Sequence, residues 1–172
     1  VISGAERLSE SVRLAFKEKF NLEIYQGYGA TETSPVASFN LPDILVKEDW
    51  HIQISHKPGS VGLPVPGTSF CIVDPVSFEI LPTGQEGLLL ISGPQVMMGY
   101  LKDPEKTSKA ILEKDHKRWY LTGDKAKLDP DGFLTIVDRY SRFAKIGGEM
   151  VSLGAVESFL QKLFLMPDFD CV

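Results

Sequence analysis

The sequence predicts an α/β protein of mixed α+β character, and three patterns predict it. Residues 8–20 carry apolar side chains at helical spacing between two short strand-like runs. Residues 59–140 hold short apolar runs punctuated by proline and glycine turns. Past Arg139 the character changes again, and an apolar stripe follows over 153–164.

Val12, Ala15, Phe16 and Phe20 define the first helix face, with Ser9 or Ser11 as its cap. Val1 and Ile2 before it and residues 22–25 after it read as strands, the second ended by Gly27 and Gly29. Strand, loop, helix, strand is a βαβ-type unit, whose ligand loops lie beyond the carboxyl ends of the strands. Gly4-Ala5-Glu6 and the 27–32 segment both fall at such ends. From 37 to 58 the pattern weakens and reads as loop, with turn clusters at Asn40-Leu41-Pro42-Asp43 and His56-Lys57-Pro58-Gly59.

Residues 70–73 and 87–91 are short apolar strands. Asp103 caps a helix that opens on Pro104 and runs to about 113, with 114–118 as its solvated end. Residues 120–128 and 133–137 form a hairpin-like pair across Asp129-Pro130-Asp131-Gly132. Residues 141–150 carry glycines and few strand formers. A helix then follows, with Leu153, Val156, Phe159, Leu160 and Leu163 on one core-facing stripe. The expected domains are 1–58, 59–140 and 141–172. The opening Val1-Ile2-Ser3-Gly4 and the closing Met166-Pro167-Asp168 read as mid-fold, so a fragment is expected.

Composition narrows the function. At 172 residues the chain can bury one sizeable core, and 43% hydrophobic with 24% charged residues is ordinary for a globular protein. A net charge of −5 argues against a general nucleic-acid binder. Cys71 and Cys171 have no metal-ligand spacing, which favours a reducing setting without a disulfide framework. No apolar run is long enough to span a bilayer as a helix. His51, His56 and His116 are scattered and read as surface or packing residues.

The chemistry concentrates in three stretches. Gly27-Tyr28-Gly29-Ala30-Thr31-Glu32 puts an aromatic plane, a hydroxyl and a carboxylate beside glycines that let the backbone approach a ligand. Alone, it is equally a polar turn with Glu32 solvated. Trp119-Tyr120-Leu121-Thr122-Gly123-Asp124 supplies a second carboxylate, and a lone Thr-Gly-Asp is more often a turn. The third runs from Asp138-Arg139 to Lys145-Ile146-Gly147-Gly148. There Arg139 could simply pair with Asp138, and Lys145 could be a solvated loop lysine.

The three stretches stand in the order, and at roughly the separations, of the adenylate-forming (AMP-binding) superfamily, which the chain resembles over essentially its whole length. The resemblance implies the end of an α/β nucleotide-binding subdomain, a distorted β-barrel-like subdomain, and the start of a small C-terminal α+β lobe. It implies ATP/AMP and Mg2+ as cofactors and attack of a carboxylate on the α-phosphate of ATP. By the same resemblance Tyr28 lies against adenine, Thr31 contacts the α-phosphate, and Glu32 reaches magnesium. Asp124 and Arg139 hold the ribose, while Gly4, Ala5, Glu6 and Gly29 border the nucleotide. Lys145 serves thioester formation, and Gly147 and Gly148 let a pantetheine arm pass. Ser141 occupies a hinge position where many relatives have Asp or Lys. The 59–67 run matches an architectural element.

Residues 143–157, with Gly93-Pro94-Gln95-Val96-Met97 and Gly99-Tyr100-Leu101, resemble more narrowly the acyl–acyl carrier protein synthetase half of bifunctional 2-acylglycerophosphoethanolamine acyltransferases. That implies a fatty acid substrate, acyl carrier protein as acceptor, and a lysophospholipid handled by a domain outside this chain. It also implies a parent at the bacterial inner membrane, with this region facing the cytoplasm. Arg142 and Lys145 are the nearest basic candidates for docking an acidic carrier protein. A long-chain acyl-CoA synthetase, with CoA as acceptor, and a non-catalytic nucleotide-binding module remain open as alternatives. The superfamily's phosphate loop and late catalytic lysine have no counterpart in residues 1–172, so this chain by itself is expected to be inactive.

Overall fold

The computed structural model describes residues 1–47, 50–146 and 149–164, with the backbone alone at 143, 145, 146, 149, 150, 158 and 161–164. β1 (Ile2–Ser3), α1 (Glu10–Phe20) and β2 (Tyr25–Gly29) form the expected βαβ-type unit, with β1 and β2 parallel. Ser9 caps α1, its hydroxyl accepting from the Val12 N–H at 3.3 Å, and Asn21 closes it in the left-handed region at φ 52°. β2 starts and ends later than its apolar run suggests. Gly27 and Gly29 lie inside the strand, because its backbone pairs antiparallel with β3 (Val36–Phe39) and their missing side chains admit that strand.

Beyond α1 an ion-pair cluster ties the helix to the strand entry. Glu23 accepts from Arg13 at 2.7 Å and from Lys17 at 2.9 Å. Burial opposes its ionisation, but these hydrogen bonds outweigh it and bring the carboxyl down to about 2. A carboxyl lowered on folding stabilises the native state above its ordinary value of 4.5, and that contribution is lost as pH falls towards about 2. Glu23→Gln is therefore expected to flatten the stability-against-pH curve between about 4.5 and 2 in urea melts. An unchanged slope would mean the pair is absent in solution.

The 37–58 region is not loop. β3 joins the first sheet, and β4 (Ile44–Val46) and β5 (His51–Gln53) form a separate antiparallel hairpin. Short apolar runs of three or four residues carry too little periodicity to announce these strands. β6 (Leu63–Pro64) completes the first sheet in the order β1-β2-β3-β6. Gly62 stands before it at φ +87°, where a Cβ would lie 2.0 Å from the Phe39 carbonyl carbon, so no other residue fits.

The second sheet holds β7 (Ser69–Val73) and β8 (Gly87–Ser92). α2 (Pro104–Ala110) and β9 (Ile111–Lys114) follow, then β10 (Lys117–Leu128) and β11 (Leu134–Arg139). Its path is β11-β10-β8-β7, with β9 paired to β10, and it stays open rather than closing into a barrel. β8 is buried along its whole length, which explains its unbroken Leu-Leu-Leu-Ile run. Asp103 and Pro104 start α2 as expected, but the helix stops at Ala110 instead of about 113. Ile111 to Lys114 instead pair with Lys117 to Tyr120, and Asp115 and His116 turn the chain at φ 52° and 58°. The 114–118 run is thus a hairpin tip, not a helix end. β8 and β10 place Leu89, Ile91, Tyr120 and Ala126 in a core that also takes in Ala37 of β3 and Val61 just before β6.

After a 3-10 turn at Tyr140–Arg142, β12 (Phe143–Ile146) pairs with β13 (Glu149–Ser152), and α3 spans Leu153–Phe164. Hairpin pairing makes strands of residues that lack strong strand formers. The stripe on α3 is exposed at Leu153, Val156 and Phe159, against its core-facing pattern, because no described element covers it. Polar contacts instead tie β13 and α3 to Asp138 of β11 and α3 to the 3-10 turn. The Ser152 hydroxyl donates to Asp138, Gly154 packs on that carboxylate, and Arg142 pairs with Glu157.

Candidate active site

Two strand irregularities build the site, one at the end of β2 and one within β10. The β2–β3 register shifts between Tyr28 and Gly29, and the β10–β8 register shifts between Leu121 and Lys125. Such bulges re-aim side chains away from the regular pleat. In β10 the skipped residues are Thr122, Gly123 and Asp124, with Gly123 at φ +75°. The Thr122 hydroxyl donates to the Leu89 carbonyl at 2.9 Å and accepts from the Asp124 N–H at 3.0 Å, which pins the bulge.

Asp124 is the centre of the first cluster. It is 3% exposed, and both of its oxygens are engaged. The Tyr28 hydroxyl donates to Oδ2 at 2.5 Å, and Arg139 Nε donates to Oδ1 at 2.9 Å. Arg139 faces Asp124 because the two are direct partners across the β10–β11 pair. Its guanidinium forms no ion pair with Asp138, which instead accepts from the Arg139 backbone N–H and the Ser152 hydroxyl. Burial, then the Asp124 charge, pushes the Tyr28 phenol far above its ordinary value, so it stays a donor. The Asp124 charge likewise raises the Arg139 guanidinium.

Glu32 is the centre of the second cluster. It lies in the 3-10 turn Thr31–Thr33 that follows β2. Thr33 is fully buried, its hydroxyl bonded at 2.9 Å to the Ala30 N–H and to the Ala30 and Pro35 carbonyls, which sets the turn. That leaves Thr31 exposed and Glu32 half-buried. Tyr100 donates its hydroxyl to Glu32 Oε1 at 2.6 Å, and this bond first of all lowers the Glu32 carboxyl. The reciprocal effect lifts the Tyr100 phenol to about 12. Burial, then the Glu32 and Asp124 charges, raises the Tyr120 phenol, which stands between the two clusters.

Gly4-Ala5-Glu6 leaves the end of β1 beside β2, with Ala5 at φ +73° and the Glu6 carbonyl 3.4 Å from Gln26 Nε2. Gly29 is exposed at the end of β2. Lys145 lies on β12 opposite Met150, its side chain outside the described residues, as are Gly147 and Gly148 altogether. Sequence reasoning gave no chemical part to Tyr100, Tyr120 or Thr122, of which Tyr100 and Thr122 hydrogen-bond site residues and Tyr120 stands beside them. Their signal was adjacency: Tyr120 and Thr122 sit inside the Asp124 motif, whereas Tyr100 stands 68 residues from Glu32. An open groove of about 680 Å³ flanks Tyr100 along α2, but neither Tyr28 nor Asp124 lines it. No described group of three or more His, Cys, Asp or Glu could cage a metal.

Residues 1–101 match the family described as AMP-binding enzyme. The chain is 38% identical over 161 residues to 4-coumarate–CoA ligase 2 of Nicotiana tabacum, covering 93% of the chain and 28% of that protein. It is 40% identical over 139 residues to a long-chain-fatty-acid–CoA ligase of Salmonella typhimurium, covering 81% of the chain and 22% of that protein. Among solved structures, ATP-bound MatB from Rhodopseudomonas palustris superposes with a TM-score of 0.75 at 29% identity, covering 93% of the chain and 29% of MatB. The MenE synthetase of Bacillus subtilis with ATP and magnesium gives 0.72 at 26% identity, covering 92% of the chain and 30% of MenE. The chain thus spans only 22% to 28% of the length of these curated relatives. It belongs to the AMP-binding enzyme family of adenylate-forming ligases.

Proposed function

We propose that this chain supplies the nucleotide clamp of a ligase that joins a carboxylic acid to AMP, releases pyrophosphate, and passes the acyl group to a thiol. The observation that supports it best is the convergence of Tyr28, Asp124 and Arg139, drawn together across 96 and 15 residues of sequence. Each oxygen of a carboxylate has two acceptor directions, so Asp124 can take ribose hydroxyls besides its present donors. Arg139, with a side chain 66% exposed, is the member free to move aside for them. The Tyr28 ring, fixed through its hydroxyl, offers a plane for adenine. Gly4, Ala5, Glu6 and Gly29 are assigned to the border of the nucleotide and Thr31, an exposed residue, to the α-phosphate.

Glu32 fits a magnesium ion of this kind, which needs only one or two protein carboxylates beside substrate phosphates. The metal, when bound, neutralises phosphate charge. Lys145 is assigned to the thioester step. The acyl substrate is read as a fatty acid, and the fatty-acid ligase among the relatives supports that. Those relatives are CoA ligases by name, which favours CoA as acceptor. Acyl carrier protein, the lysophospholipid coupling and the inner-membrane setting rest on the resemblance over 143–157. Arg142 is already paired with Glu157, so it is a poorer docking cation than its sequence position suggests.

ATP–pyrophosphate exchange, measured in a ligase of full family length carrying this sequence, tests the proposal. Expected is magnesium-dependent exchange that requires a carboxylic acid, strongest with fatty rather than aryl acids. Thioester formation on CoA or on holo-acyl carrier protein then assigns the acceptor. ATP binding without exchange for any acid would instead indicate a non-catalytic module.

A further inference from the structure

We infer that Tyr100 is a positioning residue for Glu32, and that the segment from Met97 to Thr107 exists at this site to aim that carboxylate. The inference rests on reading Glu32 as the carboxylate that reaches magnesium. Glu32 sits in a three-residue 3-10 turn, too short to fix a long side chain by itself. Two hydrogen bonds from the other segment fix it. The Met97 N–H donates to the Glu32 carbonyl at 2.8 Å, and the Tyr100 hydroxyl donates to Oε1 at 2.6 Å. The first sets the backbone and the second sets the side-chain direction. A hydrogen bond to an ionised acceptor is short and strong, so it holds geometry better than a neutral one.

Tyr100 is itself held from three sides. Its N–H donates to Thr107 Oγ1 at 2.9 Å, and that hydroxyl donates to the Asp103 carbonyl at 2.8 Å, locking the residue to the first turn of α2. Gly99 presses on Thr107 so closely that a Cβ there would come within 2.8 Å of its methyl carbon. The Lys106 ammonium covers the Tyr100 ring at 4.2 Å from its centroid. A purely structural tyrosine would need no such chain of supports ending on an acidic side chain. The arrangement instead resembles the outer partners that orient a ligating carboxylate, whose loss typically costs about 10–100-fold in metal affinity.

The test uses the intact protein with Mn2+ in place of Mg2+. Mn2+ binding in the presence of ATP is followed by electron paramagnetic resonance, ATP binding without metal by calorimetry, and folding by thermal melting. Tyr100→Phe is expected to weaken Mn2+ binding about tenfold while metal-free ATP affinity and the melting temperature hold. Glu32→Gln serves as the control. If Glu32→Gln leaves Mn2+ binding intact, the magnesium reading itself fails. If Glu32→Gln abolishes Mn2+ binding and Tyr100→Phe does not weaken it, the positioning inference alone is overturned. Equal loss of metal-free ATP affinity in Tyr100→Phe also overturns it, since that would make Tyr100 part of the nucleotide pocket. Should Tyr100→Phe fold poorly, Thr107→Val removes the hydroxyl that holds the Tyr100 N–H. It should give the same split at smaller amplitude, and absence of the split overturns the inference.

Discussion

Asp124→Asn is expected to lower adenylation on the order of a hundredfold, by analogy with removing one preorganised polar contact at a transition state, while the protein stays folded. Asparagine keeps a carbonyl oxygen for the Tyr28 hydroxyl but turns an amide NH2 towards Arg139 Nε, where donor would face donor. Arg139 is mostly exposed and relaxes into water, so no buried charge is stranded and the stability loss should be only about 1 kcal/mol. Alanine would be worse for the fold, since it leaves the Tyr28 hydroxyl without an acceptor in a buried site, at about 1–3 kcal/mol. Exchange kinetics beside urea melts on the asparagine variant separate the roles. Near-normal exchange in a folded variant would reduce Asp124 to a structural anchor between β2 and β10.

Gly29→Ala is expected to unfold or severely destabilise the protein even without nucleotide. A Cβ at Gly29 would sit 1.8 Å from the Pro35 carbonyl oxygen and 2.8 Å from its carbon. Both are backbone atoms just before β3, so no side-chain rotation relieves the clash. β2 and β3 would have to separate, which disturbs the fully buried Ala37 and Ser38 behind them. A cost on the order of 4 kcal/mol follows for an overpacked, unyielding contact. Denaturant melts check it. If stability is unchanged and only ATP affinity falls, the glycine serves ligand approach, as its motif alone suggests, and not strand crossing.

The helices α1 and α3, the strands β7 and β8, and the β10–β11 pair were legible because each carries a local signature. Periodic apolar residues, Ser9 or Asp103 at a cap, and a turn cluster all act within a few residues. β4, β5, β9, β12 and β13 were not, because pairing with the neighbouring run in a hairpin makes them strands, and pairing leaves no periodic trace in runs of three or four residues. The same division runs through the site. The residue types were legible in order: an aromatic, a hydroxyl, two carboxylates and an arginine.

By itself the sequence determined the chemistry available, since side-chain functional groups and their motif spacing are properties of the chain. Only the tertiary structure decided who meets whom. It turned Arg139 from Asp138 to Asp124, assigned Asp138 to Ser152, and brought Tyr100 to Glu32 across 68 residues. The physical reason is that hydrogen bonds depend on strand register and bulges, and those follow from how two sheets share one core.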